Sequence, residues 1–440
     1  MIRTLICAAT LTLAAPALAQ TEIEEVVTPG GVTFWLSSEP SIPIVSMEFV
    51  FRGGARLDPD GLPGTVTMMS GLLNEGAGEL DALEYAQEVE SLAARFGFDA
   101  SRDLFTVSAS MLRENRVEAV ELLRLALQEP RFDEDAVARV RAQMASVVRS
   151  NQTDAGTLAS QTLFKIAYPD HPYATPVDGT PESVAAITVG DLRAAREDVL
   201  VRDRAFVSVV GDVSAEEASE LVDIVMEGLP QSGPDLPGDV DVALSGGVAV
   251  VPLPGGQSQA LFGHAGIARD DPDFMAAFVL NHILGGGGFT SRLTEEVRVK
   301  RGLTYGIGSF LSTPDHGPLM LGSVASANGT VAEALDVVRA EWARMLEDGV
   351  TQEELDDAKR FLTGAYPLRF DTNAKIANIL VGVQEAELGI DYTQRRNALI
   401  EAVTVEDVNR MAERLLQPEA LTVVVVGEPE GLEPTLSVPE

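Results

Sequence analysis

The chain has 440 residues, 45% of them hydrophobic, which is too long for one ordinary core and predicts two or more domains. Its formal net charge of −35 argues against nucleic-acid binding, because phosphate contacts need clustered lysine and arginine. The acidity either keeps the protein soluble or attracts cationic peptides to an acidic cavity, and composition alone leaves both readings open.

The N-terminus has the order of a secretory signal. Arg3 precedes an apolar run over residues 5–15, and an Ala-Leu-Ala cleavage site follows at residues 17–19. We therefore predict a signal peptide over residues 1–19 and a periplasmic mature protein. The only cysteine, Cys7, would be removed with the signal, so we expect no disulfide. No later segment is long and apolar enough to predict membrane insertion.

The rest of the chain alternates strand and helix patterns. In the first half, period-2 apolar alternation predicts strands, and apolar residues at helical spacing predict helices. The predicted strands are 32–51 and 98–111, and the predicted helices are 62–73, 80–96 and 116–128. Strands paired with long helices indicate α+β domains whose sheets are covered by helices.

A linker divides the chain, and the two parts repeat each other. Residues 229–241 read LPQSGPDLPGDVD, a composition typical of linkers. We predict an N-terminal half over 20–229, a linker over 230–242 and a C-terminal half over 243–440. Each half ends in a helix and a β-branched strand that stops at glycine. Thr188 lies 23 positions before Gly211, as Thr404 does before Gly427.

One segment of the first half resembles the zinc site of the pitrilysin/insulinase metallopeptidases. Residues 51–77 read FRGGARLDPDGLPGTVTMMSGLLNEGA. In that family a glycine-leucine pair leads into a helix that carries H-x-x-E-H. Here Gly64 stands at the first histidine, Thr67 at the glutamate and Met68 at the second histidine. A catalytic zinc needs three protein ligands and an open position for water, which these residues do not supply.

No other residues replace the missing ligands. The family's third ligand is a glutamate some seventy-odd residues downstream, and this chain has no carboxylate between Asp135 and Asp154. None of the histidines has a second histidine or a suitably spaced acid beside it, so we expect structural roles for all four, which are His171, His264, His282 and His316. The resemblance therefore implies a chain that holds no metal and does not cleave peptides alone.

The second half keeps a different motif of the same family. Residues 284–309 read LGGGGFTSRLTEEVRVKRGLTYGIGS and resemble the family's C-terminal segment, with Arg298 and Tyr305 seven positions apart. In active members this pair helps to hold the substrate backbone beside the zinc. Arginine can donate two fixed hydrogen bonds to a carbonyl, and tyrosine can donate one to an oxyanion. Alternatively, Arg298 is a solvated charge on a helix face and Tyr305 is a half-buried strand aromatic.

A glycine run precedes this pair. By resemblance to noncatalytic subunits of the family, it would touch substrate; alternatively it is only a flexible turn. It is not a phosphate loop, because no Gly-Lys-Ser/Thr follows. The run consists of Gly285, Gly286, Gly287 and Gly288.

The resemblance implies two homologous α/β-sandwich halves with mainly antiparallel sheets covered by helices. It implies the noncatalytic subunit of a heterodimeric zinc metallopeptidase of the bacterial two-subunit type, similar also to mitochondrial processing peptidase subunits. A pitrilysin-like partner would carry the zinc, and this chain would need no cofactor. Peptide would bind between the two chains, beside Arg298 and Tyr305 supplied in trans. The alternatives are a structural or assembly subunit and a peptide-binding protein without a catalytic role.

Overall fold

The computed structural model describes residues 22–439, so the predicted signal peptide lies outside the described residues. Two β-sheets organise the chain, each with helices packed against it. The strands of the first sheet all lie before residue 212, and those of the second all lie after residue 246. This arrangement confirms the predicted α+β class with two halves and mainly antiparallel sheets.

The first sheet has six strands in the order β1-β2-β6-β3-β5-β4, and only the β2–β6 pair is parallel. The strands are β1 (Glu24–Val27), β2 (Thr33–Ser38), β3 (Ile44–Arg52), β4 (Arg95–Ala100), β5 (Leu104–Leu112) and β6 (Ala205–Gly211). The helices of this half are α1 (Thr65–Leu72), α2 (Ala82–Ser91), α3 (Arg116–Gln128), α4 (Glu134–Asn151), α5 (Ala155–Ala167), α6 (Pro181–Ala186), α7 (Val189–Val199) and α8 (Ala215–Met226).

The second sheet has five strands in the order β7-β11-β8-β10-β9, and only the β7–β11 pair is parallel. The strands are β7 (Gly247–Pro252), β8 (Gln257–Ala265), β9 (Thr304–Ser312), β10 (Leu319–Ala327) and β11 (Thr422–Gly427). The helices of this half are α9 (Phe274–Asn281), α10 (Val331–Asp348), α11 (Gln352–Ala365), α12 (Asn373–Glu385), α13 (Tyr392–Ala402) and α14 (Val405–Leu415). Two π-helical turns, His282–Gly286 and Thr294–Val299, lie between α9 and β9.

The repeated segments form the same pair of elements in both halves. α7 and α14 each begin with a capping box, in which threonine and aspartate side chains bond the free amides of the first turn. β6 and β11 follow them and end at Gly211 and Gly427, as predicted. Both strands are almost fully buried, which explains their β-branched composition.

Two predicted helices differ from the structure. The first begins at Thr65 rather than at residue 62, because Pro63 and Gly64 form a turn before it. The second ends at Ser91, because Ala93 adopts a left-handed conformation with φ of 51° and the chain turns into β4. Phe96 therefore lies on a strand and not on a helix face.

Each sheet packs against a helix from the other half. α12 lies across β3 and β6 of the first sheet, where Ser208 Oγ donates to the Ala377 carbonyl at 2.7 Å. In return, α5 lies across β8 and β11 of the second sheet, with Leu163 buried beside Val424 and Val426. This exchange ties the halves together.

The predicted linker lies in a segment without regular structure. Residues 228–246 form no helix or strand, while the linker bounds of 230–242 stay a prediction.

No helix among residues 22–439 is long and apolar enough to cross a membrane.

Candidate functional site

Gly64 lies at the N-cap of α1 and cannot carry a side chain there. Its φ of 91° places it in the left-handed region that favours glycine. A Cβ atom on Gly64 would lie 2.9 Å from the Asp178 carbonyl oxygen and 2.9 Å from the Gly179 Cα atom. The position that resembles the family's first histidine is thus closed by a neighbouring loop.

Asp58 satisfies the free amides at the same helix end. Its Oδ2 atom accepts from the Gly64 N–H at 2.7 Å, and its Oδ1 atom accepts from the Val66 N–H at 2.8 Å. Burial raises the pKa of Asp58 to about 7, although the backbone N–H bonds act in the opposite direction. The segment therefore has a carboxylate, but this carboxylate holds the helix start.

The other two motif positions are also used for packing. Thr67 Oγ1 donates to the Val177 carbonyl at 2.8 Å, and Met68 is fully buried. Met68 shares an apolar cluster with Val140 and Met144 of α4, the helix in the region where the third ligand would be sought. Within residues 22–439, no group of three or more histidine, cysteine, aspartate or glutamate side chains is arranged to hold a metal ion. These residues do not fit a zinc ion.

Two of the four histidines are buried within the second half. His264 accepts a hydrogen bond on Nε2 from Trp342 Nε1 at 3.1 Å, and its Nδ1 lies 2.8 Å from the Ala265 carbonyl oxygen. The ring of His282 stacks on that of Phe361 at 5.2 Å. Burial lowers the pKa of both histidines, which favours the neutral imidazole.

The other two histidines form a cluster with Tyr173, where the halves meet. The rings of His171 and His316 are 6.1 Å apart, and each contacts the ring of Tyr173. His316 Nδ1 lies 2.6 Å from Asp239 Oδ1. Burial lowers the pKa of His171, which favours its neutral imidazole. The ring contacts and the His316–Asp239 bond show that both histidines serve packing and hydrogen bonding.

Tyr305 is the most exposed large hydrophobic side chain described, at 88% exposure. It lies on β9, the edge strand of the second sheet. β10 pairs Ala325 with Gly306 and Ser326 with Thr304, so Tyr305 is the extra residue of a β-bulge. Bulges re-aim a side chain away from the regular alternation of the strand. The alternative of a half-buried strand aromatic is therefore wrong.

Arg298 lies on the π-helical turn that packs against β9. Its guanidinium carbon is 4.7 Å from the centroid of the Phe289 ring, which is itself 73% exposed. The neighbouring Lys300 and Arg301 both pair with Glu296 and lower the pKa of that carboxyl to about 2. Arg298 takes part in no ion pair among the described residues, so its donors stay available for another group.

The glycine run spans the end of one helical turn and the start of the next, beside this pair. A Cβ on Gly285 would lie 2.6 Å from the Ser309 backbone nitrogen, and one on Gly287 would lie 2.7 Å from the His282 carbonyl oxygen. A Cβ on Gly286 would lie 2.7 Å from Asn281 Nδ2. The first three glycines thus permit close packing.

Gly288 differs from the other three glycines, because it has a φ of 60° and open space around it. It introduces the exposed Phe289, which the sequence analysis did not identify. The signal available in the sequence was one aromatic residue placed directly after the glycine run.

Two models of one peptidase family match the chain. The model described as "Insulinase (Peptidase family M16)" matches residues 33–181, and the one described as "Peptidase M16 inactive domain" matches residues 186–362. Together the matched regions contain both motifs discussed above.

Relatives and solved structures agree with these matches. The chain is 27% identical to a "Non-peptidase homolog YmxG" of Helicobacter pylori, over 88% of this chain and 89% of the relative. It is also 27% identical to an "Uncharacterized zinc protease ML0855" of Mycobacterium leprae, over 88% of both chains. A crystal structure of a peptidase M16 inactive domain from Pseudomonas fluorescens superposes with a TM-score of 0.87 at 29% identity, covering 94% of this chain and 99% of that one. A protease structure from Helicobacter pylori has the same fold, with a TM-score of 0.83 at 19% identity, over 92% of this chain and 100% of that one.

Proposed function

Because the chain is an inactive, pitrilysin-like member of the M16 (insulinase) family, we propose that it is the noncatalytic subunit of a heterodimeric zinc metallopeptidase that degrades or processes peptides. The observation that carries this proposal is the exposure of Tyr305 beside the turn that holds Arg298. Tyr305 is 88% exposed, so its hydroxyl is available to a bound peptide.

Arg298 and Tyr305 would act on a peptide held against the zinc-bearing partner. The guanidinium offers paired donors that match a backbone carbonyl of the peptide. The phenol offers one donor to the oxygen that becomes negatively charged when the peptide bond is attacked. The partner supplies the zinc and its water, while this chain orients the peptide and stabilises charge. The exposed Phe289 borders Arg298 and, with the preceding Gly288, would touch the same peptide.

Reconstitution tests this function. The chain and the zinc-bearing M16 protein of the same organism are purified separately and assayed on a quenched fluorescent peptide library, each alone and as an equimolar mixture. We expect the chain alone to be inactive, and the mixture to form one complex whose activity a chelator abolishes. A chain that cleaves peptides alone with bound zinc would contradict the proposal. So would a zinc-bearing protein that reaches its full rate without forming a complex, and that outcome would favour the assembly or peptide-binding alternative.

We also propose that the protein is exported to the periplasm through the signal peptide at residues 1–19, on the strength of its basic, apolar and Ala-Leu-Ala order. Mass spectrometry of the protein from a periplasmic extract should give a mature N-terminus at Gln20. A mature protein that keeps Met1 would contradict the export.

A further inference from the structure

A cavity of about 500 Å³ lies in the second half, between α9, α12, α13 and β9. Its walls are mostly apolar and aromatic, and Phe274 and Phe278 are among them. Cavities of this size and lining commonly hold small organic ligands. Three arginines, Arg269, Arg369 and Arg396, also line the cavity, and no aspartate or glutamate does.

The positive charge of this cavity contrasts with the net negative charge of the whole chain. Acidic residues outnumber basic ones by 67 to 32. Even so, none of the three arginines forms an ion pair with a carboxylate of residues 22–439. Arg269 donates to the Tyr392 hydroxyl at 2.8 Å, and Arg396 donates to the Leu362 carbonyl at 3.0 Å. Arg396 also donates to Asn397 Oδ1 at 3.1 Å. All three acceptors are neutral, so no carboxylate compensates the positive charges.

Arg396 is the most buried of the three, at 7% exposure. Its guanidinium carbon lies 4.3 Å from the centroid of the Tyr366 ring. Burial lowers the pKa of Arg396, and the charge of Arg369 acts in the same direction. A buried cation without an opposite charge is costly, and buried charges in proteins are ordinarily paired. An anion in the cavity would compensate both arginines.

Tyr366 supplies a second, independent sign of a missing ligand. The residue lines the cavity and is 8% exposed, and its hydroxyl oxygen has no hydrogen-bond partner among the described residues. Buried hydroxyls are usually bonded, and one without a partner calls for an explanation. A ligand that reaches this hydroxyl from the cavity would supply its missing acceptor.

We propose that this cavity binds a carboxylate carried on an apolar body, with the carboxylate held by Arg396, Arg369 and the Tyr366 hydroxyl. The apolar body packs against Phe274 and Phe278. A carboxylate matches the paired donors of a guanidinium better than a spherical anion does. The site belongs to this chain alone, so it does not depend on a zinc-bearing partner or on the proposed function.

Two sources offer this chemistry: the carboxyl end of a peptide and a free apolar acid. A second cavity of about 420 Å³ adjoins the first and shares Arg269, Thr313, Gly382 and Ala386 with it. It is polar, with carboxylates such as Glu385 in its wall. A peptide longer than the first cavity would continue through the second, whereas a small free acid would occupy only the first.

Calorimetric titration of the mature chain tests the proposal with three probes: N-acetyl-Leu-Phe as the free acid, the same dipeptide as its amide, and 4-phenylbutyrate. We expect the free acid to bind at least about tenfold more tightly than the amide, because charge-assisted hydrogen bonds are lost in the amide. Tighter binding of the dipeptide than of 4-phenylbutyrate identifies a peptide end, and the reverse identifies a free acid. Absence of binding at millimolar concentration, or equal binding of acid and amide, overturns the proposal.

Two variants separate a binding role from a structural one. Arg369→Gln changes an exposed residue, and Tyr366→Phe removes a hydroxyl that has no partner, so neither should lower the melting temperature. Each should weaken binding of the free acid by about tenfold. Arg396→Gln should weaken it more, but Arg396 also bonds the Leu362 carbonyl, so its folding needs a separate check. Arg360→Gln, on the exposed face of α11, is the matched control. Unchanged binding in Arg369→Gln and Tyr366→Phe overturns the proposal.

Discussion

The two family motifs of this chain, the zinc-motif positions at residues 64–68 and the Arg298/Tyr305 pair, differ in how far they are buried. In the first half, Gly64 and Met68 are buried and in close contact with their surroundings, and the Thr67 hydroxyl is bonded to a backbone carbonyl. In the second half, Tyr305 is exposed, and Arg298 has only the exposed Phe289 ring against its guanidinium. One motif has become part of the packing, whereas the other contributes little to it.

This difference shows that one motif of a fold can be absorbed into the packing while another is left outside it. In the first half, Met68 packs with Met144 in an apolar cluster, and a nearby loop lies against Gly64, so these positions are filled by close packing. Exposed residues without packing contacts gain little stability, so stability gives no reason for the second motif to persist. The four predictions that follow test this contrast, from the largest expected effect on the free energy of unfolding to the smallest.

Restoring the zinc motif should damage the fold rather than create a site. Gly64→His combined with Thr67→Glu and Met68→His places a side chain in a left-handed position against the Asp178 carbonyl and buries an imidazole in an apolar cluster. We expect a loss on the order of 4 kcal/mol in the free energy of unfolding. Denaturant unfolding measures it, and Met68→Leu, which keeps the volume, should cost less than about 1.5 kcal/mol. A triple variant that is as stable as the wild type and holds one zinc would contradict the conclusion that the first motif is part of the packing.

Glu48 should make the first half less stable at alkaline pH. It lies on β3, paired with Ser108 and Ser208, on the sheet face that α12 covers. Burial raises the pKa of Glu48 to about 8, from an ordinary value of 4.5. The folded chain therefore keeps a proton that the unfolded chain releases, so stability is fully present below pH 4.5 and falls as pH rises to 8.

Glu48→Gln should remove this loss. We expect a gain of about 2 kcal/mol or more at pH 8, at about 1.4 kcal/mol per pKa unit, and little change at pH 5. Unfolding curves at both pH values measure it, with the exposed Glu220→Gln as the control. An equal effect at pH 5 and pH 8 would show that Glu48 is ionised in the folded chain.

Asp58 should prove to be a structural residue. Asp58→Ala removes the acceptors for the Gly64 and Val66 amides, and loss of a helix cap costs about 1–2 kcal/mol. The exposed Asp60→Ala in the same loop should change the free energy of unfolding by less than about 0.5 kcal/mol. If Asp58→Ala is as stable as Asp60→Ala but weakens the reconstituted peptidase, Asp58 acts in peptide cleavage and not in holding the helix start. That result would contradict a purely structural first motif.

The second motif should give the smallest change in stability. Tyr305→Phe and Arg298→Ala remove groups whose only protein contact of note is the Arg298–Phe289 pair. We expect each to change the free energy of unfolding of the isolated chain by no more than about 0.5 kcal/mol. A loss of more than 1.5 kcal/mol in urea unfolding would mean that the pair supports the fold after all.

Much of the fold follows from the sequence because its signals are local. The helix over residues 116–128 and the two glycine-terminated strands depend on neighbours in the chain. The exchange of α5 and α12 between the sheets depends on contacts between distant residues, which periodicity does not encode.

The site was harder to predict for the same reason. The positions of Arg298 and Tyr305 follow from a resemblance in the sequence, but the exposure of Tyr305 depends on a bulge that only the pairing of β9 with β10 reveals. Likewise, Arg269, Arg369 and Arg396 are far apart in sequence, and no local pattern predicts that they share a cavity without a carboxylate.

The most direct test of the central claim is the rate of the reconstituted complex that contains Tyr305→Phe or Arg298→Ala. The complex should assemble with unchanged affinity, measured by calorimetry. The peptidase rate should fall on the order of 100-fold for Tyr305→Phe, as expected for the loss of one donor to a developing oxyanion, and it should also fall for Arg298→Ala, which no longer holds the peptide carbonyl. Arg360→Ala, an exposed arginine of the same half, should leave the rate unchanged. Both variants cleaving at the wild-type rate in a fully assembled complex would contradict the claim and leave the chain as an assembly subunit.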